Sequence, residues 1–253
     1  DILKIKNISL VIISTPTKTH TEIAKFAIKQ DKHVLVEKPL SLTLNEVTKL
    51  ENLAKKNRKL LFVDYPFLFS GSINYIKKMI DSKKYGDLLE IESYREQAPI
   101  RKDCNVVWDL CVHDISILNY LLNSEPKSTK SIKIKNLNSH LADTAYLNLI
   151  YKNKLNVFIK NSWISPTKIR LIKFKFKKAI IHCNENEPIY KIKIFKKKNK
   201  SNLEYSLEIP EINLTEPLSL MADYIYKSII HKNNTIFKNN LNFNITKILK
   251  KLS

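Results

Sequence analysis

The first third of the chain alternates short apolar segments with amphipathic ones, and this alternation constrains the fold more than any other feature. Residues 8–14 read Ile-Ser-Leu-Val-Ile-Ile-Ser, an apolar, β-branched run typical of a strand buried on both faces. Residues 33–36 and 59–65 are also predicted to be strands. Because strands that alternate with helices form parallel βαβ units, the pattern predicts a parallel sheet within residues 1–65.

Two capping boxes predict where the helices between these strands begin. Thr19 precedes Glu22 by three residues, and Thr43 precedes Glu46 by the same spacing. In a capping box the threonine side chain accepts from the backbone N–H three residues later, and the glutamate bonds back. We therefore expect helices to start at Thr19 and Thr43.

After Tyr65 the pattern changes, so we place a domain boundary near Tyr65-Pro66. Helices are expected at about 72–81, 109–122 and 216–231, and a strand is expected at 88–95. Seven further strand-like runs follow one another across short polar turns, at 131–137, 144–152, 154–164, 169–177, 178–184, 189–197 and 204–209. A series of strands without intervening helices predicts a mostly antiparallel sheet in the second domain, 66–253.

Glycine is scarce, with only Gly71 and Gly86 among 253 residues. These residues therefore contain no glycine-rich turn that could hold a phosphate. The first residue is Asp1 rather than methionine, and the chain enters an apolar run almost at once. We therefore expect the sequence to be part of a longer protein or a processed form.

The formal net charge of +20 raises the possibility of nucleic-acid binding. Only four of the 44 basic residues are arginine, the residue that base and phosphate recognition favours. Lysine is spread over the whole chain, including the run 191–200, which is expected to be an exposed strand entering a hairpin turn. A general compositional bias explains this charge more simply than a binding surface, so no nucleic-acid partner is expected.

The cysteine count and the hydropathy pattern indicate the compartment. The three cysteines, Cys104, Cys111 and Cys183, show no paired spacing, which favours a reducing environment. No apolar run reaches the ~18 residues that a membrane span needs. We expect a cytoplasmic protein without a membrane partner. No metal site is expected, because the cysteine and histidine spacings do not match those of zinc sites.

Polar residues follow two of the predicted parallel strands, and ligands of parallel sheets bind at the carboxyl ends of strands. Ser14-Thr15-Pro16 follows the first strand, and Glu37-Lys38-Pro39 follows the second. A Glu-Lys pair before proline also occurs in ordinary solvated turns. Farther on, Asp109 and His113 have the i, i+4 spacing of one helical face, where a carboxylate could orient an imidazole for acid–base chemistry. A helix-start aspartate beside a packed histidine would give the same spacing.

Together these segments resemble the Gfo/Idh/MocA oxidoreductases, the relatives of glucose–fructose oxidoreductase and inositol dehydrogenase. The matching segments are 15–20, 32–40, 101–109, 113–117, Ser162-Trp163 and 216–218, in the family's order. The resemblance implies an α/β plus α+β fold: a partial Rossmann domain of parallel βαβ units at 1–65, followed by an open-sheet domain with flanking helices at 66–253.

The resemblance also implies an NAD(P)-dependent dehydrogenase that acts on a CH–OH group of a sugar, a sugar nucleotide or a cyclitol. It makes Lys38 and His113 catalytic, with Asp109 orienting the substrate or His113. The implied cofactor-binding residues are Ser14, Thr15, Pro16, His20, Glu37, Lys38 and Trp163. The implied substrate-binding residues are Lys38, Arg101, Asp103, Asn105, Asp109 and His113.

The resemblance leaves two points open. The choice between NAD and NADP is unreadable, because the glycine-rich turn and the acidic ribose contact of the family would precede Asp1. A non-catalytic remnant that acts as a sugar-binding or oligomerisation module is the alternative to the enzyme. In either case a homo-oligomer that forms through the open sheet is expected.

Overall fold

The chain divides into two structural units in the computed structural model, which describes residues 5, 7–137, 140–198, 204–231, 235–237 and 240–253. The first unit comprises Asp1–Pro66 and Leu218–Lys250, and the second comprises Phe67–Pro217 and Lys251–Ser253. The change of unit after Pro66 lies where the sequence pattern changes. Leu218–Lys250, which contains most of two helices, belongs to the first unit and is an addition to the range 1–65.

The first unit contains a parallel three-stranded sheet of order β1-β2-β3. Its elements are β1 (Leu10–Ile13), α1 (Thr17–Lys29), β2 (His33–Val36), α2 (Leu44–Lys56) and β3 (Leu61–Val63). Each helix connects two adjacent parallel strands, as the alternation predicts. The apolar side chains of α2 that lie at helical spacing, Val47, Leu50 and Ala54, are buried.

The two predicted helix starts have different outcomes. The helix start at Thr43 is confirmed, since the Thr43 side chain accepts from the Glu46 N–H and α2 begins at Leu44. The Thr43 N–H, however, donates to Oγ of Ser41 rather than to Glu46. The expected start at Thr19 is wrong: α1 begins at Thr17 after Pro16, which makes no side-chain cap. Pro16 has φ −60° and is extended, so the helix can begin directly after it. The Thr19 hydroxyl instead donates to the Pro16 carbonyl at 2.8 Å.

Strand β1 is not buried on both faces as its composition predicts. It lies at the edge of the described three-stranded sheet, and the Ile12 side chain is 66% exposed. Val34 and Val36, in the central strand β2, are fully buried. An apolar run shows that a segment can be buried, but the neighbouring elements decide whether both of its faces are covered.

Two helices complete the first unit, α5 (Pro217–His231) and α6 (Leu241–Leu252). The sequence pattern predicts α5 but not α6, although Ile245, Ile248 and Leu249 have helical spacing and are buried. The side chain of Asn242, in α6, donates to Glu51 of α2 at 3.2 Å. Between these helices the Phe237 ring lies 5.6 Å from the Phe62 ring of β3.

The second unit is built on an eight-stranded sheet of order β11-β10-β9-β8-β4-β7-β6-β5. Its strands are β4 (Leu88–Glu96), β5 (Ser128–Ile134), β6 (Thr144–Ile150), β7 (Asn156–Ser162), β8 (Ile169–Phe176), β9 (Ala179–Asn184), β10 (Ile192–Lys197) and β11 (Tyr205–Glu208). Its helices are α3 (Gly71–Asp81) and α4 (Val112–Leu122). All strand pairs are antiparallel except β4 with β7, which confirms the mostly antiparallel sheet.

Three details of this unit differ from the sequence expectations. Strand β5 starts three residues before the expected 131. Lys177 and Lys178, expected at the ends of two consecutive strands, instead form the turn between β8 and β9. In strand β10 buried residues alternate with more exposed ones. Ile192 and Ile194 are buried, so the strand is not wholly exposed. The predicted hairpin turn after β10 includes residues 199–203, which lie outside the described residues.

Candidate functional site

The carboxyl edge of the three-stranded sheet brings together side chains from three separate segments. The register pairs Ile13 with Val36 and Val36 with Val63, so the next residues, Ser14, Glu37 and Asp64, lie side by side. Two backbone hydrogen bonds continue the ladder: the Glu37 N–H donates to Ile13 O at 2.9 Å, and the Asp64 N–H donates to Val36 O at 2.8 Å. We call Ser14, Glu37 and Asp64 the edge row.

Lys38 directly follows Glu37 in the chain, and its backbone N–H donates to Oε2 of Glu37 at 3.2 Å. The Glu37 and Lys38 side chains are both half-buried, whereas Ser14, Thr15 and Pro16 are exposed. Lys38 therefore adds an ammonium group beside the edge row. Five of the residues that the resemblance implies for cofactor binding thus lie at or next to one edge of the sheet: Ser14, Thr15, Pro16, Glu37 and Lys38.

His20 lies beneath the two loops that follow β1 and β2. Its ring is buried, with Nε2 2.7 Å from the Thr15 carbonyl and Nδ1 2.9 Å from the Pro39 carbonyl. Both ring nitrogens are therefore in contact with backbone oxygens. These contacts show His20 holding Thr15 and Pro39 in place, so a direct cofactor contact stays only a prediction.

Asp64 is the member of the edge row that is not among the site residues predicted from the sequence. Burial, the charge of Glu37 and a hydrogen bond with the Glu37 side chain raise the pKa of Asp64 to about 7, against the opposing effect of Lys38. The signal for it was present in the sequence. Asp64 lies near the end of the predicted strand 59–65 and directly follows the observed β3, as Ser14 follows β1 and Glu37 follows β2, so the same strand-end reasoning applies to it.

In the second unit, Asp109 lies in a π-helical turn, Val107–Cys111, that precedes α4. Asn105 caps this turn, because its Oδ1 accepts from the N–H groups of Val107 and Trp108 at 3.1 and 3.2 Å. The predicted helix over 109–122 thus begins as a wider turn, and Asp109 precedes the regular α-helix. Turns of this kind are rare and occur often at functional sites.

Several predicted substrate-side residues come together around Asp109. Its Oδ2 accepts from Nε1 of Trp163 at 2.9 Å, and Nη1 of Arg101 lies 3.8 Å from its Oδ1. Arg101 also binds Asp103 through two hydrogen bonds, of 2.9 and 2.7 Å. We call Arg101, Asp103, Asp109 and Trp163 the Asp109 cluster. The Trp163 side chain is buried and faces Asp109, so its assigned contact with the cofactor stays a prediction.

Two arginines, Arg101 in this cluster and Arg170 near it, are positively charged at neutral pH. The hydrogen bond to Asp103 raises the pKa of Arg101, against the effect of burial. Burial and the nearby Arg95 lower the pKa of Arg170 to about 10, so that it still carries a positive charge at neutral pH. Arg170 donates to the carbonyls of Glu96 and Gln97, which fixes the start of the segment leading to Arg101.

His113 lies in the first turn of α4, and its ring meets the Phe67 ring edge-on at 5.2 Å. The next residue, Asp114, is buried and accepts from Ser93 of β4 at 2.7 Å and from Asn161 of β7 at 2.9 Å. Arg95 forms a buried ion pair with Asp114 at 3.4 Å. This network anchors the start of α4 to the sheet and thereby fixes the position of the His113 backbone.

The described part of the chain lacks two kinds of feature, a metal-binding cluster and a membrane-spanning helix. The described ranges contain no group of three histidine, cysteine, aspartate or glutamate side chains arranged to hold a metal ion. Within the same ranges, no helix combines the length and the apolar character needed to cross a bilayer.

Comparison with protein families identifies the two units. Residues 1–65 match a model described as "Oxidoreductase family, NAD-binding Rossmann fold", and residues 73–183 match the "GFO/IDH/MocA C-terminal domain". The chain belongs to the Gfo/Idh/MocA oxidoreductase family. The two matches cover both the parallel sheet and much of the open sheet, and they confirm the resemblance seen in the sequence.

Individual members of the Gfo/Idh/MocA family show how much of the chain is shared. The chain is 27% identical to the uncharacterized oxidoreductase YrbE of Bacillus subtilis over 173 residues, which are 64% of this chain and 51% of YrbE. It is 29% identical to myo-inositol 2-dehydrogenase of Thermotoga maritima over 132 residues, 49% of this chain and 39% of that enzyme. The matched part thus spans about half or less of these curated relatives.

Among solved structures, UDP-N-acetylglucosamine 3-dehydrogenase GnnA from Acidithiobacillus ferrooxidans superimposes with a TM-score of 0.84. The alignment covers 96% of this chain and 77% of GnnA at 18% sequence identity. At this identity the likeness shows the fold alone. It confirms a Rossmann-like parallel sheet followed by a mostly antiparallel open sheet.

Proposed function

We propose that the protein is an NAD(P)-dependent dehydrogenase that acts on a CH–OH group of a sugar, a sugar nucleotide or a cyclitol. The observation that carries the proposal is the position of Lys38, beside the edge row of a sheet that matches the NAD-binding Rossmann fold. The names of the relatives support the substrate class, since they include a myo-inositol dehydrogenase and a UDP-N-acetylglucosamine dehydrogenase. The cytoplasm stays the predicted compartment, supported by three cysteines that form no disulfide.

The residues at the carboxyl edge suit the nicotinamide end of the cofactor. The edge row and Lys38 offer hydroxyl, carboxyl and ammonium groups next to the exposed Thr15 and Pro16, and Oδ1 of Asp64 is buried without a hydrogen-bond partner among the described residues. Both glycines of the sequence lie in the second unit, so these residues supply no glycine-rich seat for the pyrophosphate. When bound, the nicotinamide ring would exchange a hydride with the substrate carbon.

The protein side chains would handle the proton and the developing charge. In the oxidation direction, His113 accepts the hydroxyl proton as the hydride leaves the same carbon. The Lys38 ammonium donates a hydrogen bond to the reacting oxygen and stabilises its alkoxide character. Arg101 and Asp109 bind neighbouring hydroxyl groups, and Trp163 holds the Asp109 carboxylate in place. This scheme requires Lys38 and His113 to reach the same substrate oxygen.

Kinetics of single and double variants test this scheme. In the protein at its full genomic length, Lys38→Ala and His113→Ala should each lower kcat by roughly 10²-fold or more. Because both side chains act on one hydroxyl, the double variant should lose much less than the product of the two single effects. The exposed Lys29→Ala and His231→Ala variants serve as controls. Near-normal turnover in both single variants would refute the assignment and favour the non-catalytic alternative.

We also propose that a second copy of the chain binds the open face of the eight-stranded sheet. Asp114 contacts Ser93 and Asn161 on the face that α4 covers, so the alternate residues point to the other face. There, Tyr146 and Phe158 are each 45% exposed. The same face carries paired opposite charges, with Lys173 3.4 Å from Glu92 and Lys175 3.5 Å from Glu90. Mixed charges around exposed aromatic rings suit a self-complementary interface.

Light scattering after size-exclusion chromatography tests the oligomer. The wild type should elute as a dimer or a larger oligomer, and Phe158→Lys should shift it toward the monomer by placing a charge in the interface. Tyr226→Lys introduces the same charge at an exposed tyrosine of the first unit and should leave the mass unchanged. A monomeric wild type would refute the proposal.

A further inference from the structure

Two carboxyl groups meet at the ends of β2 and β3. The parallel register places Glu37 beside Asp64, and their side chains are joined by a hydrogen bond. An ionised carboxylate can only accept hydrogen bonds, so a bond between two carboxyl groups requires a proton on one of them. A hydrogen bond between Glu37 and Asp64 therefore needs one proton shared by the two carboxyl groups.

The charges around the pair explain why the proton stays there. Besides Glu37, the only described charged group that acts on Asp64 is Lys38; the neighbouring residue of the edge row on β1 is the uncharged Ser14. With one shared proton the pair carries a single negative charge, which the Lys38 ammonium balances. Loss of the proton would leave two carboxylates at hydrogen-bond distance, one of them with a buried oxygen, and like charges this close are strongly unfavourable.

We propose that the Glu37–Asp64 pair holds a single proton and that Asp64, through it, is a positioning residue for Lys38. While the proton is present, the pair attracts the Lys38 ammonium with a single negative charge. When the proton leaves to solvent, the second negative charge strengthens this attraction and draws the ammonium away from the reacting oxygen. The role of Lys38 in this inference rests on the proposed dehydrogenase function, but the proton of the pair does not.

Infrared spectroscopy of the wild-type protein tests the proton directly. A protonated carboxyl group absorbs at a different infrared frequency from a carboxylate. Ordinary aspartate and glutamate side chains have pKa values of about 4, so they are already ionised at about pH 6. The wild type should retain a protonated-carboxyl band at about pH 6 that disappears as the pH rises through the neutral range. Both Asp64→Asn and Glu37→Gln should lack this band. The absence of the band in the wild type would overturn the inference, whether or not either variant folds.

Competitive acylation tests the effect on Lys38 without any enzymatic turnover. Acetic anhydride is applied in a brief pulse at a series of pH values, and peptide mass spectrometry compares the labelling of Lys38 with that of the exposed Lys29. In the wild type, the Lys38/Lys29 ratio should fall several-fold through the neutral range as the pair loses its proton. In Asp64→Asn the ratio should show no such fall. Identical profiles in the two proteins would refute the positioning role.

The pH dependence of turnover then links the pair to the reaction. In the active full-length enzyme, Asp64→Asn should remove one ionisation from the profile of kcat, while the KM for the cofactor changes little. A purely structural residue would lower activity equally at all pH values, and this outcome would also refute the positioning role. If no hydride transfer is found with any sugar or cyclitol, the dehydrogenase proposal fails, but the infrared and acylation results still decide the state of the pair.

Discussion

Nε1 of Trp163 donates a 2.9 Å hydrogen bond to Oδ2 of Asp109, which connects the residue after β7 to the π-helical turn before α4. Both side chains are buried, with exposed fractions of 3% and 6%. A bond to a buried carboxylate is charge-assisted and fixes its orientation. The indole therefore determines where Asp109 points, although the two residues are 54 positions apart in the sequence.

The Trp163–Asp109 bond should matter for substrate turnover. Trp163→Phe removes the N–H donor and keeps a large aromatic ring, so we expect kcat/KM to fall by about tenfold to a hundredfold, the equivalent of one hydrogen bond to a charged group. Steady-state kinetics of the full-length protein measure the loss. In an Asp109→Asn background the same change should have a smaller effect, because the charged acceptor is already gone. Equal losses in both backgrounds would exclude the bond as the cause.

Asp114 should be a major determinant of stability in the second unit. Asp114→Ala leaves the Arg95 guanidinium buried without its carboxylate, and breaking a buried pair in this way typically costs about 3–5 kcal/mol. Urea unfolding followed by circular dichroism measures the change. The exposed Asp87–Lys177 pair provides the control, and Asp87→Asn should change stability by less than about 1 kcal/mol. Similar losses in the two variants would contradict the role assigned to Asp114.

Asp64 should make stability depend on pH. Burial and the Glu37 charge raise its pKa to about 7 in the folded protein, whereas an unfolded aspartate has a pKa of about 3.9. The folded state therefore binds this proton more tightly than the unfolded chain does. The resulting stabilisation is fully present below the unfolded value and is lost as the pH rises through the folded value.

Chemical unfolding at pH values between about 4 and 8 tests this linkage. The wild type should lose free energy of unfolding relative to Asp64→Asn as the pH rises through this window, because the amide cannot ionise. The titrating groups outside the Glu37–Asp64 pair are shared by the two proteins and cancel in the difference. A difference that stays constant across the window would refute the raised pKa.

Gly71 should be intolerant of a side chain. A Cβ atom at this position would lie 2.0 Å from the backbone oxygen of Asn213, which crosses the start of α3. Because a backbone atom cannot move aside cheaply, Gly71→Ala should destabilise the second unit by about 1–3 kcal/mol, as other overpacked sites do. Thermal unfolding measures the effect, with the exposed Lys78→Ala on the same helix as the control. An unchanged melting temperature in Gly71→Ala would contradict the close approach.

Much of the candidate site could be predicted from the sequence because it follows from position along the chain. Polar residues directly after parallel strands must lie at one edge of the sheet, so Ser14, Glu37 and Lys38 are expected together from their places in the sequence alone. The same holds for Asp64, although it is not among the site residues predicted from the sequence. Asn105 and Trp163 were assigned to ligands, but their described contacts are to the backbone of the π-helical turn and to Asp109.

The sequence by itself determined the features that depend on neighbouring residues: the strand–helix alternation, the cap at Thr43 and the series of antiparallel strands. Only the tertiary structure decided the features that depend on distant segments. Among them are the exposure of Ile12 at a sheet edge, the packing of α6 on α2 and the raised pKa of Asp64 beside Glu37. The physical reason is that periodicity and capping are local properties of the chain. Burial and pKa depend instead on which remote groups come close after folding.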